Sequence, residues 1–199
     1  MATVIGITGT IGSGKSYISK LFASEHGAVV YDADKVAKDI IFGSGAQALC
    51  DAFPEWVTDG KLDGKKLKAD VLSDESKLAG LEAIIHPLVR EEFARIRRAT
   101  NAKDGVLVFE VPLLFEKKFE GLCDYTVTVA ASPEVQHERV MARNKMTEEQ
   151  LKAVLAKQLP QDEKIRRANF VIHNNGDHNG KDAVREVMSE IAKEQSAKR

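Results

Sequence analysis

Short runs of Val, Ile, Phe and their kin recur at 2–8, 28–31, 106–111, 125–130 and 170–173, and longer segments with helical three-and-four spacing lie between them. Apolar runs of this length read as strands buried on both faces, and their alternation with helices predicts an α/β fold: a mainly parallel five-stranded sheet covered by helices in three layers. Over seventy residues separate the second run from the third, far more than one crossover helix needs, which predicts an inserted helical subdomain. Within it Leu78, Leu81, Ile84, Ile85, Leu88, Val89, Phe93 and Ile96 form a stripe that must bury against something. Pro87 inside that stripe predicts a kink or break near His86. Residues 133–168 read as two or three helical segments, one starting where Thr147 and Gln150 spell a capping box, and the tail from about Glu190 is expected to fray.

Composition narrows the picture by exclusion. The 199 residues carry 29 Lys plus Arg against 30 Asp plus Glu, a formal charge of -1, so there is no global basic field to gather a nucleic acid. Cys50 and Cys123 are far apart and in no C-x-x-C arrangement, which argues against a disulfide framework or thiolate metal site and suggests small buried hydrophobes. No apolar run approaches bilayer length, and the N-terminus runs into strand-like sequence without a charged leader; the expectation is a cytoplasmic protein with no membrane partner.

The candidate chemistry begins after the first run. Gly9 to Ser16, GTIGSGKS, matches G-x-x-x-x-G-K-[ST] between strand-like ATVIGIT and helix-like YISKLFASE. That pattern is a phosphate cradle: the glycines clear space for backbone N–H groups around Gly12, Ser13 and Gly14 to turn onto phosphate oxygens. Lys15 can reach the β and γ phosphates, the Ser16 hydroxyl can take one position on Mg²⁺, and the helix beginning there aims its positive end at the anion.

Ligands of open α/β sheets bind at strand ends, so the acids there matter next. The second run ends in Asp32 and Asp34, either of which can serve as general base while the other orients it or a Mg²⁺-bound water; either can equally cap the helix that follows. The third run ends at Glu110, placed as an acid that reaches Mg²⁺ through water. Arg139, Arg143, Lys145, Arg166 and Arg167 supply cations in the 133–168 segment, either as a solvated helical face or as partners of a transferring phosphoryl group. The five histidines have no zinc-binding spacing, and the Asn144–Thr147 segment lacks the Asp of a guanine-selective motif.

Taken in order, GTIGSGKS, YDADKVAKDI, LEAIIHPLVR, VPLLFE, the spaced Arg139 and Arg143, Gln158 and ANFVIHNNG resemble the dephospho-CoA kinase family over almost the whole chain. The resemblance implies a P-loop NTPase-type fold with core segments about 1–34, 103–132 and 169–199, an acceptor-binding helical insertion about 35–102 and a helical lid about 133–168. It implies transfer of the ATP γ-phosphoryl group, with Mg²⁺, to the ribose 3′-hydroxyl of dephospho-CoA. Asp34 would be the base with Asp32 as its partner or as an indirect metal contact, and Lys15 and Arg139 would stabilise the transferring charge. Tyr17, Arg143 and Asn174 would join the loop in holding ATP, Asn174 near the adenine. His86, Leu113, Leu114 and Glu116 would meet the acceptor. Tyr17, Ala130, Val154, Asn169 and His173 depart from the family's usual residues. Competing readings are another small-molecule kinase on this scaffold and a nucleotide-gated protein-binding module.

Overall fold

The computed structural model describes residues 2–100, 105–144, 146–176 and 180–197, the side chains of 143 and 144 excepted. In chain order the elements are β1 (Thr3–Thr8), α1 (Lys15–His26), β2 (Val29–Asp32), α2 (Ala33–Ile41), α3 (Ala46–Ala52), β3 (Val57–Thr58) and β4 (Lys61–Leu62). There follow α4 (Gly64–Ser73), α5 (Glu75–Ala99), β5 (Val106–Glu110), β6 (Tyr125–Ala130) and α6 (Pro133–Asn144). The chain ends through α7 (Glu148–Ala156), α8 (Gln161–Arg167), β7 (Phe170–His173) and α9 (Gly180–Ala197).

The apolar runs become one five-stranded sheet in the order β2-β5-β1-β6-β7. β1 pairs in parallel with β5, from Thr3 opposite Val106 to Ile7 opposite Glu110, and with β6 on its other side; β6 pairs in parallel with β7. This register brings Thr8, Glu110 and Ala130 to the same edge of the sheet, immediately before the loops that follow β1, β5 and β6. β5 and β6 are buried along their whole length, and the alternating Thr126 and Thr128 of β6 are accommodated because their hydroxyls bond to Asn169 and to the Lys164 carbonyl. Ile5, Ile7, Val127 and Val129 meet Ile18, Phe22, Val184 and Ile191 from α1 and α9, and each such side chain removed from water contributes about 1.5–3 kcal/mol.

The chain divides into two compact units, Met1–Tyr31 with Thr100–Arg199, and Asp32–Ala99. In the second, α5 buries Leu81, Ile85, Val89, Phe93 and Ile96, while Leu78, Ile84 and Leu88 are half-buried on its flanks. The stripe packs against α2 and α4. α5 continues through Pro87 as one helix, so the expected break is absent. Proline removes one backbone hydrogen bond, and the apolar stripe on both sides outweighs that loss. Trp56 is fully buried, stacked on Phe53 at 4.0 Å between centroids, with its indole N–H donating to Asp70 at 2.9 Å.

Two further expectations change. α9 stays helical to Ala197, because Gln195 donates to the Thr3 hydroxyl at 2.8 Å and ties the tail to β1. Cys50 and Cys123 are free thiols as expected, but half-buried. No helix among the described residues is long and apolar enough to cross a membrane.

Candidate active site

The loop between β1 and α1 is built so that its backbone has nowhere else to go. Gly14, the residue before α1, has φ 91°, and Gly12 has φ 79°, left-handed conformations that a side chain strains. A Cβ on Gly14 would lie 2.1 Å from Asn174 Nδ2, and one on Gly12 would lie 2.6 Å from the Gln136 carbonyl oxygen. α1 starts at Lys15, and while the Tyr17 N–H already bonds to the Gly14 carbonyl at 3.0 Å, the N–H groups of Lys15 and Ser16 precede any intrahelical acceptor, which makes this helix start an anion site.

The charged groups converge on this loop. Lys15 Nζ folds over it and donates to the Gly9 carbonyl at 2.9 Å and the Thr10 carbonyl at 3.2 Å. Ser16 Oγ donates to Glu110 Oε1 at 2.6 Å, so the hydroxyl from the start of α1 and the acid from the end of β5 meet directly. Two hard oxygens at the mouth of a phosphate loop fit Mg²⁺, which takes few protein ligands and completes its shell with water and phosphate. Among the described residues no group of His, Cys, Asp and Glu side chains is arranged to hold a metal by itself.

Arg139 reaches the loop from α6: its Nη1 donates to the carbonyl oxygens of Asn174 at 2.8 Å, Ser13 at 3.3 Å and Gly12 at 3.4 Å. Asn174 is buried below the loop, its backbone N–H bonded to the Ala130 carbonyl and its side-chain amide donating to the Ser13 carbonyl at 2.9 Å. Its amide therefore supports the cradle. Tyr17 is exposed in the first turn of α1, beside Gly180 of α9. The Arg143 side chain and Lys145 lie outside the described residues. Arg166 and Arg167 follow the solvated reading: both are exposed and paired with Glu163.

In the other unit Asp32 is the N-cap of α2, its Oδ1 accepting from the backbone N–H of Asp34 at 2.9 Å and Lys35 at 3.3 Å. Asp34 sits exposed in the first turn, and His86 is half-buried on α5. The two aspartates thus separate into a capping carboxylate and a first-turn carboxylate.

Sequence reasoning missed a polar clasp around the cradle. Lys164 of α8 is fully buried, and its ammonium donates to the Pro112 carbonyl at 2.7 Å and the Thr8 hydroxyl at 3.2 Å while pairing with Glu116 Oε1 at 3.0 Å. Burial pushes the Lys164 amine below the ordinary lysine range, and the hydrogen bond and charge of Glu116 pull it partly back. Glu116 also accepts from the Leu159 backbone N–H at 2.7 Å, so both its partners are protein groups, and Leu114 beside it is fully buried while Leu113 is half-buried. Gln158 Oε1 accepts from the Ile11 N–H at 3.0 Å, Thr10 donates to Gln136 at 2.8 Å, and Gln136 in turn donates to Gln161 at 2.9 Å. The signal for Lys164 was present but faint: Gln161, Lys164 and Ile165 share one face of α8, with the C-cap Ala168 below them, and the two apolar residues mark it as the inner one. The departing residue Asn169 also has a local role, its side chain accepting from both the N–H and the hydroxyl of Thr126 and pinning β7 to β6.

A parallel sheet with a glycine-rich loop, its lysine and serine, a strand-end acid and a cationic helix beyond defines a P-loop kinase fold. Shikimate kinase from Acinetobacter baumannii shares that fold at TM-score 0.56 with 16% identity over 98% of this chain and 95% of its own. The dephospho-CoA kinase family model matches residues 3–180. Dephospho-CoA kinase from Nitrobacter winogradskyi is 44% identical over 94% of this chain and 93% of its own length. The solved dephospho-CoA kinase from Campylobacter jejuni superposes at TM-score 0.72 with 26% identity, covering 98% of this chain and all of its own. The chain belongs to the dephospho-CoA kinase family and is an ATP-dependent kinase.

Proposed function

We propose that this enzyme transfers the ATP γ-phosphoryl group to the ribose 3′-hydroxyl of dephospho-CoA, releasing ADP and CoA. The observation that carries the phosphoryl-transfer chemistry is the meeting of Lys15, Arg139 and the Ser16–Glu110 pair on one loop. Lys15 and the first-turn amides bind the donor phosphates, and Arg139 brings a second cation to the charge that grows on the transferring group. Ser16 and Glu110 would hold Mg²⁺, which would supply positive charge against the negative charge of the phosphates. Arg143 and Tyr17 extend the ATP contacts, while Asn174 acts from beneath by holding the Ser13 carbonyl in place.

Asp34 is the general base that takes the proton of the acceptor hydroxyl. Its support is its place: Asp32 caps α2, and Asp34 carries an exposed carboxylate in the first turn of that helix, two residues past the end of β2. The segment 35–102, with His86, binds the acceptor, and 133–168 forms a lid that excludes water, the rival nucleophile, when it closes. The test is incubation with Mg·ATP and dephospho-CoA, followed by mass analysis of the nucleotide products. A gain of one phosphoryl group at the 3′ position is expected; folded protein that binds ATP yet yields no such product overturns the assignment.

A further inference from the structure

A cavity of about 560 Å³ opens beside the phosphate loop at Thr10 and Ile11 and runs between α6, α7 and the start of α8. Its size falls within the roughly 300–1,000 Å³ that bury a small organic ligand. The walls are Ile11, Leu151, Leu155 and Leu159 with proline at either end, and Leu155 is left 38% exposed although it faces this apolar space. None of the groups that hold the donor phosphates borders it: Lys15, Ser16, Arg139 and Asn174 are all absent from its lining. The charges at its rim, Lys152 against Glu148 and Asp162, do not sum to a field that would draw in a phosphate chain.

Of the other polar side chains on the cavity walls, Thr10, Gln136 and Gln161 are bonded to one another or to the Ala131 carbonyl, and His137 is paired with Glu148, which leaves the amide of Gln158. Gln158 spends its Oε1 on the Ile11 N–H, and its Nε2 donates to no protein acceptor among the described residues, leaving two N–H groups on a cavity wall. A mostly aliphatic space with an unspent amide donor suits a neutral chain that alternates hydrocarbon with amide carbonyls. Dephospho-CoA carries such a chain on its 5′-diphosphate: the pantetheine arm, with two secondary amides and a dimethyl-substituted carbon. ATP has no such part.

Building on the proposed reaction, we infer that this cavity between the phosphate loop and α7 receives the pantetheine arm of the acceptor, with Leu155 and Leu159 against its hydrocarbon and Gln158 donating to an amide carbonyl. The helices α6 to α8 then recognise the part of the substrate that does not react. Binding energy from such a remote group serves to orient the reacting hydroxyl.

The experiment measures steady-state kinetics of the full chain and of Leu155→Glu with ATP and dephospho-CoA varied in turn, and free pantetheine as inhibitor of the unaltered enzyme. A carboxylate in place of this leucine is expected to raise KM for dephospho-CoA by about tenfold or more while KM for ATP stays within about twofold. Pantetheine is expected to inhibit competitively against dephospho-CoA and not against ATP. An unchanged dephospho-CoA KM in Leu155→Glu, or an equal rise in both KM values, overturns the subsite. So does pantetheine that fails to compete, a measurement that does not depend on the variant folding. Absence of product from the unaltered enzyme would instead strike the reaction itself, so the two failures are distinguishable.

Discussion

Replacing Lys164 by Met tests whether the buried clasp holds the cradle together. In the native fold the ammonium, with no exposed surface, joins three pieces of chain: Thr8 at the end of β1, Pro112 and Glu116 in the loop after β5, and its own helix α8. Methionine preserves much of the volume and removes the charge. Glu116, only 11% exposed, would keep the Leu159 N–H but lose its counter-ion, and breaking a buried pair from one side costs about 3–5 kcal/mol. For a chain of this size that corresponds to a fall in Tm of about 10 °C. The assay is urea unfolding followed by far-UV circular dichroism, run as a cycle with Glu116→Leu and the double variant. The double variant is expected to recover most of the loss, because an apolar pair of similar volume carries no buried charge, giving a coupling of about 2 kcal/mol or more. Coupling below about 0.5 kcal/mol would refute the clasp. The pH dependence supplies a second check with a definite sign. The folded chain holds the Lys164 amine below the value it takes when unfolded, so between the two the unfolded state binds more protons. Stability of the wild type relative to Lys164→Met should therefore rise as pH rises through that alkaline window.

Gly14→Ala places a methyl 2.1 Å from the Asn174 amide at φ 91°, so Asn174 must release the Ser13 carbonyl; calorimetry should show weakened ATP binding, and unchanged affinity would contradict the geometry. Arg139→Ala should lower kcat by about a hundredfold or more, well beyond any loss in ATP affinity; equal losses in both would mark it as a ground-state binding residue. Asp34→Asn should lower kcat by about 10²–10⁴ with little change in the KM for ATP, whereas Asp32→Ala should also cost about 1 kcal/mol of stability through the lost cap. Asp70 is held below the ordinary aspartate range first by Lys77 and then by the Trp56 indole N–H, so its contribution is present above the unfolded value and is lost as pH falls through the lowered one. The fluorescence of Trp56 should report that acid limb, and Asp70→Asn should abolish it.

What the sequence revealed and what it hid divide along a physical line. Short apolar runs announce themselves locally, which is why those at 106–111, 125–130 and 170–173 became β5, β6 and β7 with bounds nearly unchanged, although β7 is buried only at Ile172. The capping box at Thr147 and Gln150 formed for the same reason, since both of its hydrogen bonds lie within one turn. Ser16 and Glu110 were legible as oxygen donors, but their direct bond spans 94 positions and depends on β1 and β5 lying side by side. Lys164 was hidden because every immediate neighbour on its polar side is charged: QDEKIRR reads as a solvated helix, and only the tertiary fold shows which cation turns inward. The cations flagged as candidates in that helix, Arg166 and Arg167, are the ones that stay outside.

The glycines of the loop show how a correct reading can still have an incomplete cause. Their absence of side chains was ascribed to the approach of phosphate, yet the atoms that a Cβ at Gly12 or Gly14 would strike belong to the protein: the Gln136 backbone and the Asn174 amide. The loop is backed by α6 and by the segment after β7 as closely as it must be approached by a ligand on its open side. Arg139 then bonds to the Gly12 and Ser13 carbonyls and Asn174 to that of Ser13, while Gln158 takes the Ile11 N–H. A backbone already bonded on its outer side has little freedom left to lose when phosphate binds, which is the condition for a preorganised electrostatic site. Through Arg139, Gln136 and Gln158, the segment from α6 to α8 therefore holds the shape of the loop.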